Sequence, residues 1–339
     1  MLPDPCPTAP GPEDGPVGPA ASRSAGWSPP QRRASCPSHS PLHDAPPTTW
    51  GELQDAAEGV LRAAGHDAAE AEARTLLSHV TGLAPTRLPL MRREPAAPAQ
   101  AARLQALAAR RAAGEPLQYV TGETYFLGLR LRCTPAALIP RPETEELAVR
   151  VIEALRRRPA AAALLADIGT GSGALAVVLA HHLPGSCVAA TDVSHEALAL
   201  AQENAALRGL QEQVRLLHGP YLQPLREAGL ANELTALVCN PPYVSACEWD
   251  SLPPDVREHE PREALLGLDD DGAGFYRRLL PEVAAHAPSL QLIAFEVGYR
   301  QAPTVAALLR DALPRLLVTV HRDLAGIERV VMGEAPPDA

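Results

Sequence analysis

The sequence has 339 residues, of which 46% are hydrophobic and 21% are charged, and its formal net charge is -10. This length predicts either two domains or one large domain with additions, and the apolar fraction is enough for a sizeable core. The negative charge disfavours duplex nucleic acid as the main partner, because phosphate contacts need clustered basic residues.

Neither a membrane nor a metal partner is indicated. No run reaches the roughly 18 consecutive apolar residues of a membrane-spanning helix, and the N-terminus lacks the basic-then-apolar pattern of a secretory signal. The six cysteines form no Cys-x-x-Cys pair and have no histidine at zinc-ligand spacing. We therefore expect a cytoplasmic protein with reduced thiols, no metal site and no membrane partner.

Residues 1–48 are predicted to be a disordered, proline-rich tail. They hold 13 of the 36 prolines, with serine, glycine and alanine between them and few large apolar residues. Such a segment buries too little apolar surface to offset its ordering entropy.

Three helices are predicted next. Thr49 and Glu52 form a capping box that opens the first one. The second is predicted to open at Asp67, through an Asp-Ala-Ala-Glu cap, and to continue to Val80. The third covers residues 97–113, and all three have apolar residues at helical spacing. After them, residues 117–133 alternate aromatic and β-branched side chains around turn signals, which predicts a β-hairpin.

From about residue 163 strands alternate with helices, which implies a parallel sheet with helices on both faces. The short Asp-Leu-Ala-Gly-Ile-Glu connection before the last strand is too short for a crossover helix, so the last two strands must be antiparallel. Strands are predicted over residues 163–168, 186–192, 213–218, 234–240, 290–297, 315–321 and 327–333, and helices near 172–183, 194–208, 272–287 and 300–312.

A glycine-rich loop follows the first of these strands. Gly169, Gly171 and Gly173 allow a sharp turn and a close backbone approach to a ligand, in front of a helix N-terminus. Gly169, Gly171 and Ala174 also fit the weak fingerprint of a nicotinamide-dinucleotide site. The loop alone therefore leaves two kinds of cofactor open.

Two aspartates favour S-adenosylmethionine over a dinucleotide. Asp167 precedes the first glycine, where a carboxylate would repel a pyrophosphate but suits an ammonium group. Asp192 ends the second strand, where a carboxylate can accept both ribose hydroxyls. Since S-adenosylmethionine has an amino-acid moiety, a ribose and no phosphate, we expect it to be the cofactor.

The fourth strand is followed by Asn240-Pro241-Pro242-Tyr243. The first and fourth strands are expected to flank the point where strand order reverses, so this turn should face the glycine loop. The Asn240 side-chain oxygen and the Pro241 carbonyl can hold a planar –NH2 group, while the prolines remove competing N–H donors. Tyr243 can offer an aromatic face, and such alignment favours an in-line methyl transfer.

The loop, the acid and this turn resemble those of class I S-adenosylmethionine-dependent methyltransferases that modify planar amino groups. The strings LIPRPETEELA, QYVTGETYFLGL, EPREALLG and RDLAGIERVV narrow the resemblance, from about residue 50 to 333, to the HemK-type release factor glutamine methyltransferases. That family implies N5-methylation of the glutamine in the Gly-Gly-Gln motif of class 1 peptide chain release factors, with no direct nucleic-acid partner.

The resemblance implies an α/β fold, with a Rossmann-like seven-stranded sheet that ends in an antiparallel hairpin and follows a small helical domain. The implied domains are a substrate-recognition domain over 49–114, a linking hairpin over 115–140 and a catalytic domain over 141–339. Arg141 and Glu143 are expected near the pocket. The implied catalytic residues are Asn240, Pro241, Pro242 and Tyr243, and the implied cofactor-binding residues are Asp167, Ile168, Gly169, Thr170, Gly171, Asp192 and Asn240.

One segment departs from the family pattern. Gly219 and Pro220, with Tyr221 beyond them, stand where relatives have an acidic and a large apolar or aromatic residue on the adenine side. The alternative functions are N5-methylation of a ribosomal-protein glutamine, N6-methylation of adenine in nucleic acid, and a cofactor-binding module without catalysis. The intact Asn-Pro-Pro-Tyr turn argues against the last, and the negative charge argues against nucleic acid.

Overall fold

The computed structural model describes residues 48–158 and 163–336. The predicted disordered tail, residues 1–48, lies outside the described residues except for Thr48. In the described ranges, no helix has the length and apolarity to cross a membrane, and no cluster of His, Cys, Asp and Glu side chains could hold a metal ion.

Between residue 48 and the first strand the chain forms five helices, and residues from all five form one small apolar core. The helices are α1 (Trp50–Ala63), α2 (Ala69–Thr81), α3 (Leu88–Met91), α4 (Pro98–Ala112) and α5 (Leu117–Thr121). Leu61, Leu76, Leu77, Leu88 and Leu104 are fully buried in this core. The short helices are held mainly by this packing, because isolated helices of such length are marginal in water.

The first predicted cap is confirmed and the second is wrong. Glu52 N–H donates to Thr49 Oγ1 at 3.3 Å, and Thr49 N–H donates to Glu52 Oε2 at 2.8 Å. Helix α2 instead begins after Ala68, whose side chain makes no capping hydrogen bond. Asp67 therefore lies one position before the cap, where its carboxylate is not placed to serve the first N–H groups.

The predicted hairpin is present but shorter than expected. Strands β1 (Glu123–Phe126) and β2 (Leu129–Arg132) pair antiparallel. The strand expected over residues 117–121 is wrong, because this stretch forms helix α5. Tyr119 and Val120 are buried in two different apolar clusters, and Gly122 ends the helix in a left-handed conformation.

In the described part of the chain after residue 163, seven strands form one sheet, as predicted. They are β3 (Leu164–Ile168), β4 (Cys187–Asp192), β5 (Val214–His218), β6 (Ala236–Cys239), β7 (Leu292–Glu296), β8 (Leu317–Arg322) and β9 (Glu328–Glu334). Their order is β5-β4-β3-β6-β7-β9-β8. The first five pair in parallel, whereas β9 lies between β7 and β8 and is antiparallel to both. The predicted terminal antiparallel hairpin is thus confirmed.

Helices cover both faces of this sheet, so successive residues of a strand enter opposite apolar cores. Side chains of α6 and α7 pack on one face and those of α12 and α13 on the other. The helices are α6 (Pro142–Arg156), α7 (Ala174–His182), α8 (His195–Leu207), α9 (Gln223–Glu227), α10 (Pro254–His259), α11 (Arg262–Leu265), α12 (Gly274–His286) and α13 (Ala302–Ala312), with 3-10 turns at Ala231–Glu233 and Trp249–Ser251.

Gly173 is the residue at which the glycine-rich loop turns into α7. Its φ is 78°, and a Cβ atom at this position would lie 2.9 Å from the Cβ of Ala201 in α8. The position therefore requires a residue that accepts a left-handed backbone and also has no side chain.

We expect Gly173→Ala to lower the free energy of unfolding by about 2–3 kcal/mol, because it adds overpacking to the left-handed strain. Gly209→Ala is the matched control, since Gly209 has a φ of 67° and open space around the added Cβ. The control should lose only about 1–2 kcal/mol. Urea denaturation measures both, and equal losses would contradict the packing argument.

Candidate active site

The two loops singled out in the sequence leave neighbouring strands at the same edge of the sheet. Strand β3 pairs in parallel with β6, with Asp167 opposite Val238. Strand order reverses between them, since β4 and β5 lie beyond β3 and β7 lies beyond β6. Ligands of open α/β sheets bind at such a switch point. The glycine loop, residues 169–173, and the Asn-Pro-Pro-Tyr turn, residues 240–243, therefore border one candidate site.

The glycine loop is held against the end of β4. The N–H of Thr170 donates to the carbonyl of Thr191 at 2.8 Å, and the N–H of Gly171 donates to Asp192 Oδ2 at 2.8 Å. Gly169 is exposed, has a φ of 71°, and has open space where a Cβ would lie. The backbone of Gly169 can therefore be approached closely by a ligand.

Asp167 lies beneath the glycine loop rather than on its surface. The side chain is fully buried, and Oδ2 accepts hydrogen bonds from the Thr170 hydroxyl at 2.5 Å and from Ala176 N–H at 3.1 Å. Burial raises the pKa of Asp167 to about 7, although these hydrogen bonds lower it. Oδ1 receives no hydrogen bond from any described residue. This oxygen therefore has unmet capacity for a donor or a cation.

Asp192 closes the loop and faces the site at the end of β4. Oδ2 accepts from Gly171 N–H at 2.8 Å, and Oδ1 accepts from Ser194 N–H at 2.9 Å. A carboxylate has about four acceptor positions, so each oxygen keeps a lone pair after these bonds. The side chain is only partly buried. Asp192 can therefore support the loop and accept two hydroxyl groups of a ligand at once.

The side-chain amide of Asn240 is hydrogen bonded on one side only. Nδ2 donates to Thr144 Oγ1 at 3.0 Å, and the Thr144 hydroxyl, in the first turn of α6, donates to Glu296 Oε2 at 2.6 Å. The amide oxygen, Oδ1, is buried and has no hydrogen-bond partner among the described residues. Because an unpaired buried acceptor is costly, Oδ1 is well suited to receive an N–H group of a ligand.

Tyr243 and Glu296 complete a network with Asn240 and Thr144, which we call the carboxylate network. The Tyr243 hydroxyl donates to Glu296 Oε1 at 3.1 Å. Glu296 is 1% exposed, and burial raises its pKa to about 6, although the bonds from Thr144 and Tyr243 lower it. Burial also raises the pKa of Tyr243 well above its usual value. The two oxygens of one buried carboxylate thus hold both ends of the turn.

A buried glutamine fixes the backbone of the same turn. Gln301 Nε2 donates to the carbonyls of Tyr243 at 2.8 Å and Asp271 at 2.9 Å, and Oε1 accepts from Gly298 N–H at 2.9 Å. Gly272 packs so closely that a Cβ there would lie 2.2 Å from the Tyr243 carbonyl oxygen. The position of the Tyr243 backbone is therefore set by contacts with β7, α13 and the loop before α12.

Arg141 and Glu143, both expected near the pocket, lie at the start of α6. Arg141 Nη2 donates to Glu260 Oε1 at 2.5 Å, and the other oxygen of Glu260 accepts from Ile139 N–H at 3.1 Å. Glu260 is 6% exposed. Glu143 is close enough to Glu296 to raise the pKa of that carboxyl group. These contacts attach the segment after the turn to the helix that carries Thr144.

The segment after β5, where a departure from the family pattern was expected from the sequence, has a tightly packed glycine. Gly219 has a φ of 141°, and a Cβ there would lie 2.8 Å from Pro224 Cγ. His218 pairs with Asp192 across the strands, and its ring stacks on that of His195 with centroids 3.8 Å apart. A stacked pair of imidazoles therefore lies at this corner, and a Cβ at position 219 would clash with Pro224.

Three further residues belong to this arrangement and were not predicted from the sequence, namely Thr144, Glu296 and Gln301. Glu296 gave a usable signal, because an acid ends an otherwise apolar strand that neighbours the strand leading to Asn240. Thr144 falls within the string LIPRPETEELA, where Pro142 marks a helix start. Gln301 has no local signal, since its three hydrogen bonds reach partners that are distant in sequence or belong to a turn.

The strand order, with one antiparallel strand near the edge, and the two loops at the switch point define a class I methyltransferase. The PrmC N-terminal domain family matches residues 52–122, and the methyltransferase small domain family matches residues 149–251.

Curated relatives narrow the class to one family. The release factor glutamine methyltransferase of Moorella thermoacetica is 45% identical over 269 residues, covering 79% of this chain and 92% of the relative. Those of Deinococcus radiodurans and Geobacter sulfurreducens are 41% and 39% identical, and cover 83% and 85% of this chain and 96% and 98% of the relatives. The chain belongs to the release factor glutamine methyltransferase family.

The raised pKa of Glu296 predicts how stability depends on pH. A folded-state pKa of about 6, above the ordinary 4.5, means that wild-type stability falls as pH rises through this window and recovers on protonation. Glu296→Gln keeps the shape and removes the titration. Between about pH 4 and about pH 8 the variant should gain about 2 kcal/mol relative to wild type, since one pKa unit is about 1.4 kcal/mol.

Urea denaturation at both pH values measures this difference. Other groups that titrate in the same range, including Asp167, are present in both proteins and cancel. A stability difference that does not change with pH would show that Glu296 has an ordinary pKa.

Proposed function

We propose that the protein transfers a methyl group from S-adenosylmethionine to the side-chain amide nitrogen of the glutamine in the Gly-Gly-Gln motif of class 1 peptide chain release factors. One observation of the structure supports this most directly: the side-chain oxygen of Asn240, at the start of the turn that borders the site, is buried and has no partner among the described residues. The names of the relatives point to the same substrate. The reaction belongs in the cytoplasm, where translation ends.

The residues around the glycine loop fit this cofactor. Asp192 has lone pairs for the two ribose hydroxyls, and the exposed Gly169 backbone allows close contact. The unpaired Oδ1 of Asp167 suits the cationic amino-acid part, and that cation would in turn favour the ionised form of the carboxyl group. We propose that Asp167, Ile168, Gly169, Thr170, Gly171, Asp192 and Asn240 bind the cofactor, with Asn240 only bordering its methyl group and adding little to the affinity. The cofactor would supply an electrophilic methyl group on a sulfonium sulfur.

The Asn-Pro-Pro-Tyr turn positions the nucleophile. Asn240 Oδ1 and the Pro241 carbonyl accept the two N–H bonds of the glutamine amide, which aims its nitrogen at the methyl group. As the new C–N bond forms, the bond from the methyl carbon to the sulfonium sulfur would break and leave a neutral thioether, while positive charge develops on the amide nitrogen. That nitrogen then loses one hydrogen as a proton to water. Both acceptors bind the charged form more strongly than the ground state. Pro242 stiffens the turn, and Tyr243 places its ring against the planar amide.

The remaining parts of the chain have supporting roles in this proposal. The helices of residues 49–114 recognise the release factor, residues 115–140 link them to the sheet, and residues 141–339 form the catalytic domain. A contact supports this arrangement: Arg111 of α4 forms a bidentate pair with Glu72 and lies 4.0 Å from Asp255 in the segment after the turn. The helical domain is thereby joined to the segment that leads from the active site.

We expect Asn240→Ala to lower turnover on a release factor by about 10²-fold or more, the order associated with one preorganised polar contact to a transition state. Cofactor affinity and folding should change little. Asn232→Ala, at an exposed asparagine in the 3-10 turn Ala231–Glu233, is the control. Mass spectrometry should find one methyl group on the Gly-Gly-Gln glutamine with wild type and control. Equal methylation by Asn240→Ala would exclude the proposed role, and a methyl group on DNA adenine would overturn the substrate.

Asp192→Ala should weaken S-adenosylmethionine binding by about 2–3 kcal/mol, the range for hydrogen bonds to a charged group. Asp192→Asn keeps one acceptor oxygen and should lose less. Asp311→Ala, at an exposed position of α13, is the matched control. Calorimetric titration measures all three, and unaltered affinity in Asp192→Ala would remove this residue from the cofactor site.

A further inference from the structure

The direction of hydrogen bonding through the carboxylate network is dictated by charge. Glu296, with a pKa of about 6, is mostly ionised at neutral pH and can only accept hydrogen bonds. Thr144 has one hydroxyl hydrogen, which it donates to Glu296 Oε2 at 2.6 Å. Its oxygen is then left as an acceptor for Asn240, which must present Nδ2 rather than Oδ1.

This constraint matters because shape alone does not orient a side-chain amide. The oxygen and the NH2 group of asparagine are nearly equal in size, so their assignment follows from their hydrogen-bond partners. Here Nδ2 is directed to Thr144, and Oδ1 is the atom of the amide that remains available to a ligand. Within the described residues no other donor or acceptor contacts the Asn240 side chain.

We propose that Thr144 and Glu296 are positioning residues that keep Asn240 Oδ1 turned toward the substrate and thereby make the site select a carboxamide over a carboxylate. This inference rests on the proposed function and adds the origin of its substrate specificity. Neither residue needs to touch the substrate, since both act through the orientation of Asn240.

Glutamine and glutamate differ too little in size for a pocket to separate them by fit. They differ instead in polarity, since a carboxamide offers N–H donors where a carboxylate offers only acceptors. An acceptor at Oδ1 receives a hydrogen bond from the glutamine NH2 group, but it repels the carboxylate oxygen of glutamate. If the amide were reversed, Nδ2 would donate to the glutamate carboxylate and could not accept from the glutamine nitrogen. A site built on hydrogen bonds discriminates strongly in this way.

Burial explains why water does not replace the network. Thr144 is 5% exposed and Glu296 is 1% exposed, and they come from different elements, α6 and the end of β7. The second Glu296 oxygen is occupied by the Tyr243 hydroxyl. The carboxylate therefore has fixed partners, and loss of the Thr144 hydroxyl would leave both Nδ2 of Asn240 and Oε2 of Glu296 without this partner.

The test compares Thr144→Val, which has the same shape without a hydroxyl, with Thr144→Ser, which keeps the hydroxyl. The substrate is an intact release factor, and the competitor is the same factor with glutamate in place of the Gly-Gly-Gln glutamine. Four quantities are measured: turnover at saturating release factor, inhibition by the glutamate competitor, cofactor affinity by calorimetry, and melting temperature. Thr144→Ala, which adds no bulk, is the second variant if Thr144→Val does not fold.

We expect Thr144→Val to lower turnover about tenfold or more, with unchanged cofactor affinity. The glutamate competitor should inhibit this variant more strongly relative to the glutamine substrate, by about the same factor. Thr144→Ser should recover most of the turnover and the discrimination. The glutamine substrate and the glutamate competitor share all contacts outside this one side chain. The strength of inhibition by the competitor relative to use of the substrate therefore reports on the site that holds the side-chain amide.

A Thr144→Val or Thr144→Ala variant that keeps wild-type discrimination would overturn the inference. An equal loss in Thr144→Ser would do so too, because it would indicate a packing role. If wild type itself transfers no methyl group to the release factor, it is the proposed function that fails, which is a separate result.

Discussion

Strands β3 and β6 pair over three positions, Leu165–Asp167 with Ala236–Val238, and both loops of the site depend on that register. All six residues are buried on one face of the sheet or the other, so a shift by one residue would exchange the two apolar faces and is strongly opposed. The same pairing sets the distance between the glycine loop and the Asn-Pro-Pro-Tyr turn. Methyl transfer needs a donor and an acceptor held in line, and here the spacing is provided by the rigid core rather than by the loops themselves.

Two buried carboxylates support the two loops in the same manner. Asp167 bonds to the hydroxyl and N–H groups of its own loop and of α7, and Glu296 bonds to the hydroxyls of Thr144 and Tyr243. Burial raises the pKa of both groups, which means that each carboxylate is held at a cost to stability. Such costs are common where a structure maintains a functional arrangement. The site is thus ordered by acidic groups that lie behind the surface a ligand would meet.

Features that depend on local sequence could be predicted, and those that depend on distant contacts could not. The sheet, its terminal hairpin and the two loops follow from periodicity, glycine spacing and turn length. The residues of helix α5 have a strand-like local pattern, and they are buried against residues that are distant in the chain, which local sequence does not reveal. The start of α2 is set by packing, which overrides the cap expected at Asp67. Thr144 and Glu296 are 152 residues apart, so only the folded chain shows that they act on Asn240.

The insertion of β9 between β7 and β8 has a consequence for incomplete chains. Strand β7 is buried along its whole length, and the partner on one side of it is formed by residues 328–334. A chain interrupted before that point would carry Glu296 at the end of a strand with an open, apolar edge. Such edges pair readily with other chains. Truncated products of this protein are therefore expected to aggregate rather than persist as partly active enzyme. Loss of the last strand would thus lower the amount of folded protein as well as its activity.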